Sequence, residues 1–245
     1  MDPNKVLIIG TGISGLAATK HALGAGLTPV TLERNSDIGG VWNPETGSTW
    51  DGLCTNVCKY NVQLGSLSYP EDTPMFPLRH QVFDYMKSYV DKYNLLPHIR
   101  FNCEVTRLEK IPGEKETRYR VSWQEKGKEV TDVFPFVVVA VGMFSQPHIP
   151  NFKGLEKFKG TILHSKDYKR SSSFAGKRVL TLGSSFSGND LTANVAKDAA
   201  VVHHCFRVAS WLFPHFVQIE ENKKIPFEFK ISTREYRNLP QMTYK

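Results

Sequence analysis

The chain has 245 residues, 40% hydrophobic and 22% charged, an ordinary globular composition that excludes a disordered chain and allows one large domain or two average ones. Its net charge of +7 comes from scattered lysines and arginines with no aromatic-basic module, so no nucleic-acid interface is expected and the balance suits anionic, phosphate-bearing cofactors. The longest apolar run, residues 134–141, is too short to cross a bilayer, and the first strand starts too early to leave room for a signal peptide. With four cysteines that read as reduced thiols, these features predict a cytoplasmic protein with no membrane partner.

Residues 6–15 read Val-Leu-Ile-Ile-Gly-Thr-Gly-Ile-Ser-Gly. The apolar quartet predicts a strand buried on both faces, and Gly10, Gly12 and Gly15 follow in the G-x-G-x-x-G spacing that opens a helix. The first glycine permits the tight turn, the second lets a pyrophosphate approach bare backbone, and the third allows close helix–strand packing. A phosphate there meets the free N–H groups of a helix N-terminus. A helical run over 16–25 and a second strand over 28–32 follow, ending on Glu33, an acid placed to accept from a ribose hydroxyl pair. Next, Gly39 and Gly40 let backbone pass close to a ligand, with Trp42 offering a flat surface; the same residues also suit a surface turn with one core indole.

Residues 43–61 are rich in Gly, Thr, Asn and Pro and predict a long loop, of the kind that usually carries function. Within it Cys54 and Cys58 have three residues between them, a spacing unlike C-x-x-C and unlike the four-residue gap of glutathione reductases, so a redox disulfide is the lesser alternative. Residues 79–93 place Val82, Phe83, Met86, Tyr89, Val90 and Tyr93 on one helical face. Strands are expected over 99–108, 119–123 and 130–134, then a buried strand over 136–141 ending on Gly142.

From 143 to 153 the composition shifts to Pro, Phe, His and Asn, marking a linker, after which the opening grammar repeats. A strand over 178–182 leads into Gly183, Ser184, Ser185, Phe186, Ser187 and Gly188, then a helix over 189–199 and a strand over 201–206. Ser185 stands where the middle glycine would be; it is small, and its hydroxyl can donate to a phosphate. Arg207 stands where the first unit has Glu33, suiting a 2′-phosphate and so NADPH over NADH. Residues 211–245, with Pro214, Pro226 and Pro240, show little periodicity and predict irregular structure. The fold class expected is α/β with two Rossmann-like dinucleotide-binding domains, arranged as in disulfide reductases: a first domain over 1–142, a linker over 143–170 and an incomplete second domain over 171–245.

Gly10-x-Gly12-x-x-Gly15, Gly39-Gly40-x-Trp42, Phe158-x-Gly160-x-x-x-His164-x-x-x-Tyr168 and the second glycine turn together resemble the flavin-containing monooxygenases. The linker element looks like the class B flavoprotein monooxygenase fingerprint, with tyrosine at its end as in N- and S-oxygenating members, where Baeyer–Villiger members more often have tryptophan. The second turn is similar to that of bacterial trimethylamine monooxygenases, which carry tyrosine where Phe186 stands, so one hydroxyl contact is missing. The resemblance implies FAD and NADPH as cofactors, with reduced flavin capturing O2 as a C4a-hydroperoxide whose distal oxygen passes to an amine or sulfide. The cofactor carries this chemistry, and the protein binds, orients and excludes water.

On this resemblance the cofactor-binding residues begin with Gly10, Gly12, Ser14 and Gly15, followed by Glu33 and Arg34 and by Gly40, Val41 and Trp42. Thr55, Asn56, Val105 and Tyr168 join them, and the second turn supplies Gly183, Ser184, Ser185, Phe186, Ser187 and Arg207. Asn56 corresponds to the asparagine beside the flavin's reactive edge and is the catalytic candidate, Thr55 and Lys59 also fitting that segment; the bland alternative for Asn56 is an Asx turn. His164 reads as a positioning residue. Relatives of the family are nearly twice as long and return to the first domain to close the FAD site, so the chain reads as a fragment, a natural short form or one half of a two-chain assembly. A companion chain or a homo-oligomer would then supply what is missing, and a non-oxygenating FAD/NADPH protein that makes only hydrogen peroxide is the rival to the monooxygenase.

Overall fold

The computed structural model describes residues 2–46, 49–113, 117–144, 146–208, 214–221 and 223–232. They fall into two compact units, Met1–Trp50 with His80–Tyr168, and Asp51–Arg79 with Lys169–Lys245.

The first unit runs β1 (Lys5–Ile9), α1 (Ile13–Gly24), β2 (Thr28–Leu32), α2 (Arg79–Lys92), β3 (Ile99–Arg100), β4 (Cys103–Ile111), β5 (Arg118–Glu125), β6 (Lys128–Phe134) and β7 (Phe136–Val139). A parallel sheet has the order β3-β2-β1-β7, and β4-β5-β6 form an antiparallel sheet. β1 lies inside its sheet with Leu7 and Ile8 fully buried, as a continuous apolar strand requires. One face of the antiparallel sheet delivers Cys103, Val121, Trp123 and Phe134 onto Leu7, Ile9 and Leu32, and this cluster is the core. Each large side chain buried there contributes about 1.5–3 kcal/mol relative to exposure. On α2 the buried residues Val82, Met86, Tyr89 and Val90 recur at helical spacing as expected, joined by Tyr85, while Phe83 and Tyr93 of the expected face are half-buried.

The strand expected over 99–108 divides. Asn102 adopts φ +55°, which ends β3 after two residues, and Cys103 N–H then donates to Glu33 O at 2.8 Å as β4 starts in the other sheet. Residues 136–141 are not the buried strand expected: β7 has four residues and pairs with β1 alone among the described residues, leaving Phe136 and Val139 exposed at the sheet edge.

The second unit holds β8 (Arg178–Leu182), α3 (Phe186–Val195), β9 (Val201–Cys205), β10 (Phe216–Glu220), β11 (Lys223–Pro226) and α4 (Phe227–Ser232). β8 and β9 are parallel across the α3 crossover. The irregular structure expected over 211–245 is corrected in part: β10 and β11 form an antiparallel hairpin, with Phe216 opposite Pro226, and α4 follows. Residues 211–213, 222 and 233–245 lie outside the described residues.

The two units repeat one construction in detail. A Cβ on Gly15 would lie 1.9 Å from Gly10 O, and one on Gly188 would lie 2.1 Å from Gly183 O, so helix and turn touch through bare backbone in both. Four residues later Thr19 Oγ1 donates to Gly15 O at 2.8 Å and Thr192 Oγ1 to Gly188 O at 2.6 Å. Among the described residues no helix is long and apolar enough to cross a membrane.

Candidate functional site

After β1 the chain turns at Gly10, whose φ of +101° is left-handed and whose Cβ would lie 2.6 Å from Ala140 O, so only glycine fits. Gly12 is the N-cap of α1, with extended backbone and no side-chain cap, and the first turn carries no acid. Its N–H groups are therefore left for an anion, which the helix dipole also favours. The glycine pair closes on this turn: Gly39 N–H donates to Thr11 O at 3.1 Å, and a Cβ on Gly40 would come within 3.0 Å of Gly12 Cα. The result is an open cleft of about 550 Å³ in the first unit.

Gly10, Gly12, Ser14, Glu33 and Arg34 line it, as do Gly40, Val41, Trp42 and Val105. Gly15 is behind the cleft as the packing contact already described, and Tyr168, in the same unit, is buried edge-on to Trp50. The sequence missed Asn35, Cys103 and the 139–144 stretch, which also line the cleft. Those positions come together only through the β1–β7 pairing and the β3–β4 divide, which no local pattern announces.

Glu33 is 4% exposed and fully engaged. Its Oε2 accepts from Thr11 N–H at 2.8 Å and Thr11 Oγ1 at 2.7 Å, and its Oε1 from Asn35 N–H at 3.0 Å and Asn35 Nδ2 at 2.9 Å. A carboxylate has about four acceptor positions, so these donors fix the group in place and satisfy its charge.

Thr55 and Asn56 are in the second unit. Thr55 N–H donates to Pro77 O at 2.9 Å and its Oγ1 to Val57 O at 2.7 Å, while Cys58 N–H donates to the Glu228 carboxylate. Asn56 is exposed between the buried Thr55 and Cys58, and the Cys58 N–H that an Asx turn at Asn56 would use is given to Glu228. Burial pushes up both thiols, reinforced at Cys54 by the Asp190 charge and at Cys58 by the Glu228 hydrogen bond. Both cysteines are free, and protonated thiols make poor nucleophiles.

The turn after β8 copies the first in backbone geometry. Gly183 has φ +113°, and Ser185 is the N-cap of α3 with φ −78° and ψ 176°, next to −65° and 179° at Gly12. Extended backbone needs no glycine, which is why serine is tolerated at the middle position. Ser184 Oγ donates to Val208 O at 3.0 Å, Phe186 is exposed, and Ser187 falls in the first turn of α3. Arg207 is exposed two residues beyond the end of β9. His164, in the first unit, caps a short 3-10 turn by accepting from Lys166 N–H through Nδ1 at 3.1 Å, a structural role.

The family described as Flavin-binding monooxygenase-like matches residues 3–243. The chain belongs to this family. Dimethylaniline monooxygenase [N-oxide-forming] 4 of Mus musculus is 37% identical over 217 residues, 85% of this chain and 39% of its own length. Among solved structures, S-allyl-L-cysteine S-oxygenase from Allium sativum is similar with TM-score 0.75 and 26% identity, over 89% of this chain and 54% of that one. Tmm from Pelagibacter sp. strain HTCC7211 is similar with TM-score 0.75 and 28% identity, over 91% of this chain and 58% of that one. The chain thus spans about two fifths of the curated family member it matches and over half of these solved ones.

Proposed function

We propose that this flavin-binding monooxygenase-like chain binds FAD in the first unit and NADPH in the second, and serves an NADPH-dependent oxygenation of a nitrogen or sulfur atom in a small molecule. The observation that carries the reading is the pair of equivalent glycine turns, the first closed by Gly40 into a cleft lined by the α1 N-terminus and by a fixed carboxylate, Glu33, bonded to Thr11 of that turn. These groups fit a dinucleotide: the α1 N-terminus and Ser14 suit the pyrophosphate, Arg34 and Glu33 the ribose, whose hydroxyls would take over acceptor positions that Thr11 and Asn35 now fill, and Val41, Trp42 and Val105 an apolar portion of the ligand. In the second unit the α3 N-terminus, Ser184, Ser185 and Ser187 suit the NADPH phosphates, with Phe186 beside them and Arg207 for the 2′-phosphate.

FAD held in the first unit would supply the two-electron chemistry that links NADPH to O2. The balance is NADPH, a proton, O2 and substrate giving NADP⁺, water and the N- or S-oxide, so one oxygen atom reaches the substrate. The chain's own tasks are to hold the two dinucleotides, keep water out and present Asn56, whose exposed side-chain amide can donate to substrate or to developing negative charge. Tyr168, packed against Trp50 and not part of the cleft lining, is kept in the cofactor set on the family motif alone. In chain order the proposed division is an FAD-binding segment over 1–142, of which 51–79 belong to the second unit, a linker over 143–170, of which 143–168 belong to the first, and an NADPH-binding segment over 171–245. The N-oxide-forming and S-oxygenase names of similar proteins support the soft-nucleophile class.

The test is reconstitution with FAD. Expected are a bound-flavin absorbance spectrum and NADPH oxidation in air that rises with a tertiary amine or thioether and yields its oxide. Failure to bind FAD overturns the reading. Hydrogen peroxide as the sole oxygen product replaces it with a non-oxygenating FAD/NADPH protein.

A further inference from the structure

Lys59 follows Asn56 by three residues and is buried, at 7% exposure. Lysine is rarely buried unless its charge is met. Here the ammonium donates to three backbone carbonyls, Thr73 O at 2.7 Å, Glu71 O at 3.0 Å and Pro70 O at 3.3 Å. Three donors meet three acceptors, so the group is saturated and the converging carbonyl dipoles are neutralised by one cation. Thr73 N–H closes the same turn onto Pro70 O at 3.1 Å.

The turn so gathered leads directly into the strip that holds the Asn56 loop. Lys59 N–H donates to Met75 O at 2.7 Å, Thr55 N–H to Pro77 O at 2.9 Å, and Arg79 N–H back to Leu53 O at 2.8 Å. Residues 53–59 and 75–79 are therefore laced together on both sides of Asn56, which is exposed between the two anchors, with the buried Cys58 held in addition through its N–H to the Glu228 carboxylate. Lys59 serves one anchor with its backbone and, through its side chain, shapes the turn from which both anchoring carbonyls extend. All these residues belong to the second unit.

We propose that Lys59 is a positioning residue for Asn56: its ammonium fixes the 70–73 turn, and that turn fixes the carbonyls of Met75 and Pro77 that hold the two ends of the Asn56 loop. The inference rests on the proposed role of Asn56. Removing the ammonium leaves Glu71 O and Thr73 O converging without that donor, with only Pro70 O still met by Thr73 N–H, and their mutual repulsion loosens the turn.

The test uses the full chain reconstituted with FAD and compares Lys59→Met, which keeps the aliphatic stem, with Lys59→Gln, which keeps two N–H donors on a shorter stem. Amide hydrogen exchange over 53–61 and 70–77 is read beside exchange over 178–195. Lys59→Met is expected to speed exchange in the first two stretches at least tenfold and leave 178–195 unchanged, with Lys59→Gln between it and the parent. With N,N-dimethylaniline present, the fraction of consumed NADPH that ends as hydrogen peroxide should rise severalfold. Unchanged exchange over 53–61 overturns the proposal, and so does acceleration spread equally over 178–195, which is general loosening; if the Met variant does not fold, Lys59→Gln decides by the same two outcomes. Asn56→Ala separates the underlying reading: it should raise the peroxide fraction with exchange over 70–77 unchanged. A peroxide fraction unaltered by Asn56→Ala removes the catalytic role of Asn56, while the exchange data still decide whether Lys59 holds the loop.

Discussion

At the scale of single residues the cleft turns on how Glu33 is held. The acid was legible because it ends β2 at the distance from the glycines that a dinucleotide site demands. Thr11 was not, because it occupies a variable position of the motif and nothing local distinguishes a threonine facing a carboxylate from an alanine. Its hydroxyl now explains the fixity of Glu33, and it yields a prediction with two signs. Thr11→Val keeps the β-branched shape but removes the 2.7 Å bond to a buried charge, so the FAD-free protein should lose about 1–2 kcal/mol, a few degrees in Tm. A bound ribose hydroxyl restores the missing donor, so the rise in Tm on adding FAD should be larger in the variant than in the parent. Thermal melts with and without FAD read both effects, and an equal rise in the two proteins would show that Glu33 does not meet the ribose. Lys59 was visible only as part of a family segment, because its partners are backbone carbonyls and leave no trace in residue type.

Among elements, those with strong periodicity were read well. β1, α1, β2, α2, β5, β6, β8, α3 and β9 stand close to where the sequence places them. The failures have causes. The divide between β3 and β4 is set at Asn102 by a left-handed backbone that an apolar run does not reveal, and the β10–β11 hairpin hides behind Lys223, Lys224 and a terminal proline that disguise alternation. The packing of the antiparallel sheet on the parallel one depends on Trp123, 2% exposed in the core cluster, so Trp123→Ala should cost about 3–5 kcal/mol by urea unfolding. A second tie is ionic: Lys5 Nζ at the start of β1 meets Asp132 Oδ2 on β6 at 2.5 Å. Burial pushes the Asp132 carboxyl up, but the Lys5 hydrogen bond, the Val133 N–H and the Lys5 charge outweigh it and hold the group below its usual value. A depressed folded-state pKa stabilises the protein above the unfolded value of about 3.9, and that contribution is lost as pH falls through the folded value. Both side chains are partly exposed, so Asp132→Asn should cost only about 0.5–1 kcal/mol at neutral pH. The gap to the parent in urea unfolding should close in acid and shrink at high salt, and a gap independent of pH would assign the loss to packing.

Over the whole molecule, one construction is used twice with different support. In the first unit β1 has a partner on each side and the antiparallel sheet covers its Leu7 and Ile9, so its amides open only with the core. In the second, β8 pairs only with β9 among the described residues, and Leu180 and Leu182 are 61% and 52% exposed. Both strands read as apolar strands leading into a glycine turn, Lys5 to Ile9 continuously and Arg178 to Leu182 with a threonine between its leucines; what covers each strand is a matter of distant chain and cannot be read from the strand itself. A two-stranded sheet is marginal without a covered face. Native-state hydrogen exchange should therefore rank the two copies: β1 and β2 amides should be the most protected, and those of β8 and β9 should exchange orders of magnitude faster, each tenfold step being about 1.4 kcal/mol of opening free energy. NADPH should slow exchange in β8, β9 and the first turn of α3 while leaving β1 unchanged, because a ligand protects the unit that it binds by the free energy of binding. Equal protection of β1 and β8 in the free protein would show that Leu180 and Leu182 are covered in solution, and NADPH protection confined to β1 would reverse the assignment of the two nucleotides to their units.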